Sequence, residues 1–336
     1  SEYSSASGKY STIDDSDYSI ISGGCCNTID SISDNSTISG GYNNTISCVS
    51  SSNILGGMNN KIDSTDSAYT PSQDLSIIGG QCNTISFGLS SNIIGGMNNR
   101  INGTISDYDP SVINSTLYSS IIGGQCNSLC STGMGSSLIS GGNSNTISST
   151  YGGYMAISGG KSNTMLDSDS SFMAGGSGNK INTSSSSFII GGYNNTISGY
   201  SSDSTISGGH SNTISCNTTE SSITSGYSNT IYNDSSCSFI SGGSTNIIND
   251  NSCYSSINGG YLNTVTTGSQ FSSISGGKMN VINNRDCVFI VGDGITADRD
   301  CTTFVNNLSI TDIPPSDVGL PSGSIWRDGV NLKIVP

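Results

Sequence analysis

The sequence predicts an all-β protein, a parallel β-solenoid of about fifteen turns, each turn being called a coil below. Two observations support this prediction. A short phrase recurs fifteen times between Ile21 and Ile282, and the residues within each phrase alternate in character. The phrase is clearest as S-T-I-S-G-G-H-S-N-T-I at residues 204–214. Internal repeats of this kind are typical of solenoids, in which each repeat forms one structural unit.

The length of the repeat is nearly constant. Counted from the first glycine of each phrase, successive phrases begin 16 to 18 residues apart in twelve of the fourteen intervals. The other two intervals are 23 and 28 residues long, with the extra residues near 63–74 and 106–118. Insertions in a solenoid leave the coil as loops. We expect these loops to form a variable contact surface, although tolerated surface loops would explain them equally well.

Three positions of the phrase hardly vary. Two residues before the first glycine is isoleucine in every copy except at Met173, and six residues after it is an apolar residue. The predicted core includes Ile21, Ile38, Ile54, Ile77, Ile93, Ile121, Ile206, Ile240 and Ile274. Four residues after the first glycine is asparagine, at Asn27, Asn44, Asn60, Asn83, Asn99, Asn127, Asn145, Asn163, Asn179, Asn195, Asn212, Asn229, Asn246, Asn263 and Asn280.

The spacing within the phrase indicates strands. The recurrent isoleucine follows a serine by two residues, and the second apolar residue follows the asparagine by two. Residues two apart lie on the same face of a strand. We therefore expect two short strands per coil, joined at the Gly-Gly corner. Coils stacked at about 4.8 Å would form a rod on the order of 70 Å long, with the asparagines as an inward amide ladder.

The composition agrees with a thin core and excludes several classes of protein. Only 32% of residues are apolar and 10% are charged, and the formal net charge is −14. A phosphate backbone is bound by clustered Lys and Arg, so the acidity argues against a nucleic-acid partner. The sequence has no run of 18 apolar residues that would insert into a membrane.

Further apolar residues lie at positions predicted to face away from the core. They are Leu55, Ile78, Ile94, Ile122 and Ile190 directly before the first glycine, and Phe172, Phe188, Phe239 and Phe289 two residues earlier. Since two inward residues per coil form a thin core, we expect this second surface to be buried against other copies of the chain.

The sequence divides into three regions. Residues 1–18 form a lead-in or N-terminal cap, residues 19–300 form the solenoid, and residues 301–336 form a C-terminal cap or junction. The last region holds four of the six prolines and the only tryptophan, Trp326. Asp328-Gly329 lies between two apolar segments, which is a hairpin signal. We therefore predict a small β cap.

The cysteines and the single histidine do not form a recognised site motif. Eleven cysteines include Cys26, Cys82 and Cys126 at the second position after Gly-Gly. We interpret the cysteines mainly as small buried apolar groups, with disulfides between coils as the alternative. No C-x-x-C pair is present, so no metal is expected. The acidic residues cluster in predicted turns: Asp14, Asp15, Asp17, Asp107, Asp109, Asp167, Asp169, Asp298 and Asp300.

Nine Asn-x-Ser/Thr sequences occur in this Asn-, Ser- and Thr-rich chain, several of them expected by chance. Those in turns between phrases are candidate glycosylation sites. They include Asn35, Asn102, Asn114, Asn182, Asn217 and Asn233.

The phrase resembles the repeat of YadA-like heads, also called Hep/Hag repeats. The wording I-G-G-Y-N-N-T-I-S-G at residues 190–199 is close to the usual form, and the resemblance covers roughly 19–300. It implies a left-handed parallel β-roll, three chains side by side, in a surface adhesin or fibre. The segment 319–335 is similar to the C-terminal ends of fibre-like proteins from phages and large DNA viruses. Unlike bacterial trimeric autotransporters, the sequence has no C-terminal coiled-coil heptads or amphipathic membrane strands, which favours a virion fibre.

Two other functions fit the sequence less well. An enzyme with a Ser-His-Asp or Cys-His site would have to use His210, whose position in other copies holds Tyr42, Met58 or Lys161. An ice-binding face is suggested by threonine after the asparagine in nine copies, but Lys61, Arg100 and Lys180 interrupt that column. Strand propensity is sufficient to explain the threonines.

The sequence thus predicts a non-enzymatic, homotrimeric fibre or head without a cofactor, located on a virion surface or alternatively on a cell surface. Its partners would be two further copies of itself, an anchor protein, and a host glycan or protein receptor. The alternatives are a purely architectural fibre and a fragment of a bacterial trimeric adhesin.

Overall fold

The computed structural model describes residues 2–64, 72–86, 88–103, 116–131, 135–150, 153–328 and 330–335. These residues form a parallel β-solenoid of about sixteen coils, and no helix occurs among them. Each coil adds one strand to each of two long sheets. The predicted all-β solenoid is confirmed.

The first long sheet contains eighteen strands, most of which precede a Gly-Gly corner. In chain order, its strands are Ser5–Ala6, Ile20–Ile21, Thr37–Ile38, Asn53–Ile54, Ser76–Ile78, Asn92–Ile94, Ser120–Ile121, Leu138–Ile139, Ala156–Ile157, Phe172–Met173, Phe188–Ile189, Thr205–Ile206, Ser222–Ile223, Phe239–Ile240, Ser256–Ile257, Ser273–Ile274, Phe289–Val291 and Thr303–Val305.

The second long sheet contains sixteen strands, most of which begin directly after the recurrent asparagine. They are Thr12–Ile13, Thr28–Asp30, Thr45–Ser47, Lys61–Asp63, Thr84–Ser86, Arg100–Gly103, Ser128–Ser131, Thr146–Ser149, Thr164–Leu166, Lys180–Asn182, Thr196–Ser198, Thr213–Ser215, Thr230–Tyr232, Ile247–Ile248, Thr264–Thr266 and Val281–Asn283.

Two smaller sheets complete the strands. A four-stranded parallel sheet lies in the coils that carry the insertions and comprises Val49–Ser50, Ser72–Gln73, Gly88–Leu89 and Thr116–Leu117. Near the C-terminus, Ile325–Asp328 pairs antiparallel with Asn331–Ile334. The predicted hairpin is therefore present, while its role as a cap stays a prediction.

The register of the long sheets places like residues over like. Ile206 pairs with Ile189 and Ile223 in the first sheet, and Ile214 pairs with Ile197 in the second. All nine isoleucines of the predicted core are at most 1% exposed. The two isoleucine columns therefore face each other across a narrow interior, which buries apolar surface with only a few side chains per coil.

The parallel sheets extend beyond the predicted solenoid boundaries of 19 and 300. Ser5 and Ala6 pair with Ile20 and Ile21, so part of the lead-in 1–18 forms a regular coil. At the other end, the strand Thr303–Val305 pairs in parallel with Phe289–Val291. The lead-in was not recognised as a full coil because its sequence lacks the Gly-Gly pair.

The two glycines of each corner have different physical roles. At Gly208, an added Cβ atom would meet nothing within 4 Å. At Gly209, φ is +85° and a Cβ atom would lie 2.5 Å from the side-chain nitrogen of Asn212 and 2.7 Å from the backbone nitrogen of Gly226. Only glycine fits the second position, where neighbouring coils approach closely. This explains why the single exception in the array, Ser225, occupies the first position.

We predict that Gly209→Ala lowers the free energy of unfolding by roughly 3 kcal/mol or more, because it combines a left-handed backbone with a steric overlap. Gly208→Ala is the matched control and should change it by less than about 1 kcal/mol. Thermal unfolding followed by circular dichroism compares the two. Equal midpoints for both variants would contradict this account of the corner.

Candidate functional site

The interior is built around the recurrent asparagine, and all fifteen copies are at most 1% exposed. Asn212 shows the pattern. Its side-chain nitrogen donates to the carbonyl of Gly208 in its own coil, at 3.0 Å, and to the carbonyl of Gly226 in the next coil, at 3.1 Å. Its side-chain oxygen accepts from the backbone N–H of Asn229, at 3.0 Å. One side chain therefore forms hydrogen bonds with three buried backbone groups at the corner.

The asparagine column differs in one respect from the predicted amide ladder. Its repeating hydrogen bonds join side chain to backbone rather than side chain to side chain. Within the described part of this column, direct amide-to-amide bonds occur where Asn246 donates to Asn229 and where Asn280 donates to Asn263. The amide bonds the backbone because the carbonyl of the first glycine, such as Gly208, and the N–H of the next asparagine, such as Asn229, have no other partner at the corner.

The asparagine column continues past both insertions. The backbone N–H of Asn83 donates to Asn60 at 3.1 Å across 23 residues, and that of Asn127 donates to Asn99 at 3.0 Å across 28 residues. At the N-terminal end, Ser11 accepts from the backbone N–H of Asn27, at 3.3 Å. The extra residues therefore leave the interior register unchanged.

Two columns of serine side chains form hydrogen bonds with backbone groups at the opposite corner, as the asparagines do at Gly-Gly. The sequence alone did not assign them this role. Ser204, four residues before a first glycine, accepts from the N–H of Ser221 at 3.2 Å and donates to the carbonyl of Thr218 at 3.1 Å. Ser201, seven residues before it, accepts from the N–H of Thr218 at 3.1 Å. The recurrence of serine at the first of these positions was visible in the sequence. The second was obscured by variable spacing.

Several acidic residues of the predicted turns also bind backbone groups. Asp169 accepts from the N–H of Tyr154 at 2.9 Å, and Asp300 accepts from the N–H of Asp286 at 3.1 Å. Asp298 instead pairs with Arg299, whose hydrogen bond lowers the pKa of the Asp298 carboxyl. Asp107 and Asp109 lie outside the described residues. Elsewhere in the described part of the chain, no group of three or more His, Cys, Asp or Glu side chains could hold a metal ion.

His210 lies on the outside of a corner, within a column of aromatic residues. Its ring centroid is 4.9 Å from that of Tyr193 and 5.0 Å from that of Tyr227, in the coils on either side. Both tyrosines are about half exposed. The three rings follow one another along the rod with interplanar angles of 47° and 56°, because equivalent residues of adjacent coils lie about one strand spacing apart.

The cysteines are not buried, contrary to our main interpretation. All eleven are free thiols, and each is either half-buried or exposed. Many of them lie at corners, where the backbone turns outward: Cys26, Cys82, Cys126 and Cys237 all have φ between 55° and 60°. The apolar positions of the interior are taken by isoleucine, which left no inward place for the thiols.

The first long sheet presents an apolar strip to the outside. We define the outer stripe as Leu55, Ile78, Ile94, Ile122, Leu138, Ala156, Phe172, Phe188 and Ile190. Leu55, Ile78, Ile94 and Ile122 are 43% to 53% exposed, and Ile78 pairs with Ile94. Further along, Phe172 pairs with Phe188. These residues do face away from the core, as the alternation predicted. Phe239 and Phe289 lie farther along the same sheet, 38% and 40% exposed.

The candidate glycosylation sites differ in accessibility. Asn35 and Asn217 are exposed, whereas Asn102, Asn182 and Asn233 are half-buried. The amide of Asn233 donates to Asp250 at 2.9 Å. Asn114 lies outside the described residues, as do most of the two insertions, 65–71 and 104–115.

Neither protein-family models nor curated protein sequences match the chain. Within the described ranges there is no helix long and apolar enough to cross a membrane.

We predict that Asn212→Ala lowers the free energy of unfolding by about 3 kcal/mol, because Gly208 O and Asn229 N–H lose their partner and Gly226 O keeps only its bond from the N–H of His210. Thr213→Ala, which truncates the neighbouring half-buried side chain, is the control and should cost less than about 1 kcal/mol. Chemical denaturation of both variants measures the difference. A change at Asn212 no larger than that at Thr213 would show that the corner does not depend on the amide.

Proposed function

We propose that the chain is a non-enzymatic structural fibre or head protein on a virion surface, and that three copies assemble side by side as left-handed β-rolls. The outer stripe is the observation that carries this proposal. An exposed apolar strip along a rigid rod is expected to be covered, since contiguous patches of this kind mark interaction surfaces.

A second and a third copy of the same chain fit the outer stripe best. The formal net charge of −14 makes separate chains repel one another. The outer stripe itself contains no charged residue, so copies can approach there without burying a charge. Rods with the same coil spacing can also match apolar residues coil by coil over their length. Trimer number and handedness follow from the resemblance to YadA-like heads.

The C-terminal segment supports a junction with an anchor protein or with other copies. The two-stranded sheet exposes Ile325, Leu332 and Ile334 by 44%, 61% and 68%. An isolated two-stranded hairpin is marginally stable in water. In the structure it is held by a hydrogen bond from Arg327 N to Pro314 O, at 2.9 Å, and by Lys333 packing on Trp326. Burial of the apolar side chains in an assembly would stabilise it.

The two insertions are the proposed attachment loops for a host glycan or protein. The described residues on either side of each insertion belong to the solenoid, and a trimer would present three copies of each insertion, so weak individual contacts would combine. A purely architectural fibre without a receptor remains the second candidate function. The uniform interior favours this candidate, because its asparagine and serine columns form hydrogen bonds with the backbone. A fragment of a bacterial trimeric adhesin is the third candidate.

We predict that Ile94→Lys dissociates the assembly, because three lysines would be buried in the contact without partners. Thr213→Lys, on the second long sheet in the column that holds Lys61 and Lys180 in other coils, is the control and should leave the assembly intact. Native mass spectrometry reports the number of chains directly. A monomeric wild-type protein, or an Ile94→Lys variant that stays trimeric, would overturn the proposed contact.

We predict that the protein binds a subset of a glycan array and that deletion of residues 106–115 abolishes this binding. The deletion leaves the strand Thr116–Leu117 and the asparagine column in place. Deletion of residues 65–71 from the otherwise unchanged chain tests the other insertion in the same way. Binding that survives both deletions contradicts attachment through the loops, and absence of binding by the intact trimer favours the architectural fibre. Release of reducing sugars from a host polysaccharide incubated with the protein would instead indicate an enzyme.

A further inference from the structure

The last coil of the solenoid carries a pair of stacked thiols. The strands Phe289–Val291 and Thr303–Val305 pair in register, with Phe289 opposite Thr303. Cys287 and Cys301 each lie two residues before these strands, so they occupy equivalent places in adjacent coils. The backbone N–H of Cys301 donates to Asp286 O at 2.9 Å, which holds the two corners together.

The local geometry directs the two side chains the same way. The φ angles are 56° at Cys287 and 50° at Cys301, so both Cβ atoms leave the corner in the same direction. Stacked coils separate equivalent Cα atoms by about 4.8 Å. Disulfides span Cα separations of about 4.4–6.8 Å. Both residues are exposed and therefore accessible to an oxidant.

The neighbouring thiol also affects the ionisation of Cys287. Partial desolvation, the hydrogen bond and charge of Cys301, and the carboxylates of Asp286 and Asp300 raise the pKa of the Cys287 thiol. Since the thiolate is the reactive form, exchange at Cys287 becomes faster as the pH rises.

We propose that Cys287 and Cys301 form a disulfide that clamps the final coil onto the solenoid when the protein meets an oxidising environment. The oxidant is a low-molecular-weight disulfide such as oxidised glutathione. One cysteine thiolate attacks it and releases one reduced glutathione. The second cysteine thiolate then attacks the mixed disulfide, which forms the Cys287–Cys301 bond and releases a second reduced glutathione. The two cysteine protons end on the two glutathione thiols.

The final coil is the place where such a bond has most effect. Thr303–Val305 is an edge strand, paired only with Phe289–Val291 in the described part of the sheet. Its inward residue, Phe304, is half-buried, whereas inward residues of internal coils are fully buried. Ends of solenoids open first unless they are capped. A covalent link between the last two coils restricts this opening.

The test uses the full chain, first reduced and then incubated with oxidised glutathione. Peptide mapping without reduction should find residues 287 and 301 joined within one chain, and the intact mass should fall by two hydrogen atoms. The exposed Cys216 stacks against Gly199 rather than another cysteine. Cys216→Ser is therefore the matched control and should keep the link, whereas Cys287→Ser and Cys301→Ser should lose it.

Hydrogen exchange provides the second readout. The amide of Phe289, which donates to Thr302 O at 3.1 Å, should exchange roughly tenfold more slowly in the oxidised protein. Absence of the 287–301 link after oxidation, or links mainly between different chains, overturns the proposal. A 287–301 link without slower exchange at Phe289 overturns its role as a clamp.

Discussion

The whole solenoid depends on the hydrogen bonds that one asparagine side chain makes across the Gly-Gly corner. A sharp corner between strands leaves buried carbonyl and N–H groups without partners in either sheet, and such groups destabilise a fold strongly. The Asn212 amide satisfies two of them, Gly208 O and Asn229 N–H. It adds a bond to Gly226 O, which also accepts from His210 N–H. The amide nitrogen donates to Gly226 and the amide oxygen accepts from Asn229, both in the next coil, so each coil is bonded to the next one. The corner is therefore both a turn and the link between coils.

This link explains why coil length can vary while the stack stays regular. The interior fixes only the residues near the corner and the two isoleucines, and it is indifferent to what joins one coil to the next. The bonds from Asn83 to Asn60 and from Asn127 to Asn99 are as short as those between coils without insertions. Long loops cost little extra closure entropy. A solenoid of this kind can therefore change its loops without changing its core.

The sequence allowed the inward half of the structure to be predicted, because inward positions recur in every coil. Isoleucine, asparagine and the second glycine are each fixed by a contact with the same residue of the next coil, and a constraint repeated fifteen times is visible without structural information. The corner opposite Gly-Gly was less visible. At that corner, two serines per coil, such as Ser201 and Ser204, bond the backbone groups that a single asparagine bonds at Gly-Gly. In some coils Leu75 or Met155 takes the place of the serine. The cysteines were misplaced because burial of a thiol was inferred from residue type, whereas they lie at outward corners.

The side chains of the outer face are not determined by the solenoid interior, since they face away from it. The outer stripe lies directly before the first glycine at Leu55, Ile78, Ile94 and Ile122, and two residues earlier at Leu138, Ala156, Phe172 and Phe188; in the last of these coils Ile190 occupies the first position as well. Since residues two apart share a face, both positions lie on the outside of the same sheet. A partner that covers the stripe must therefore contact both positions along the same sheet, and a second rod with the same coil spacing can do so coil by coil.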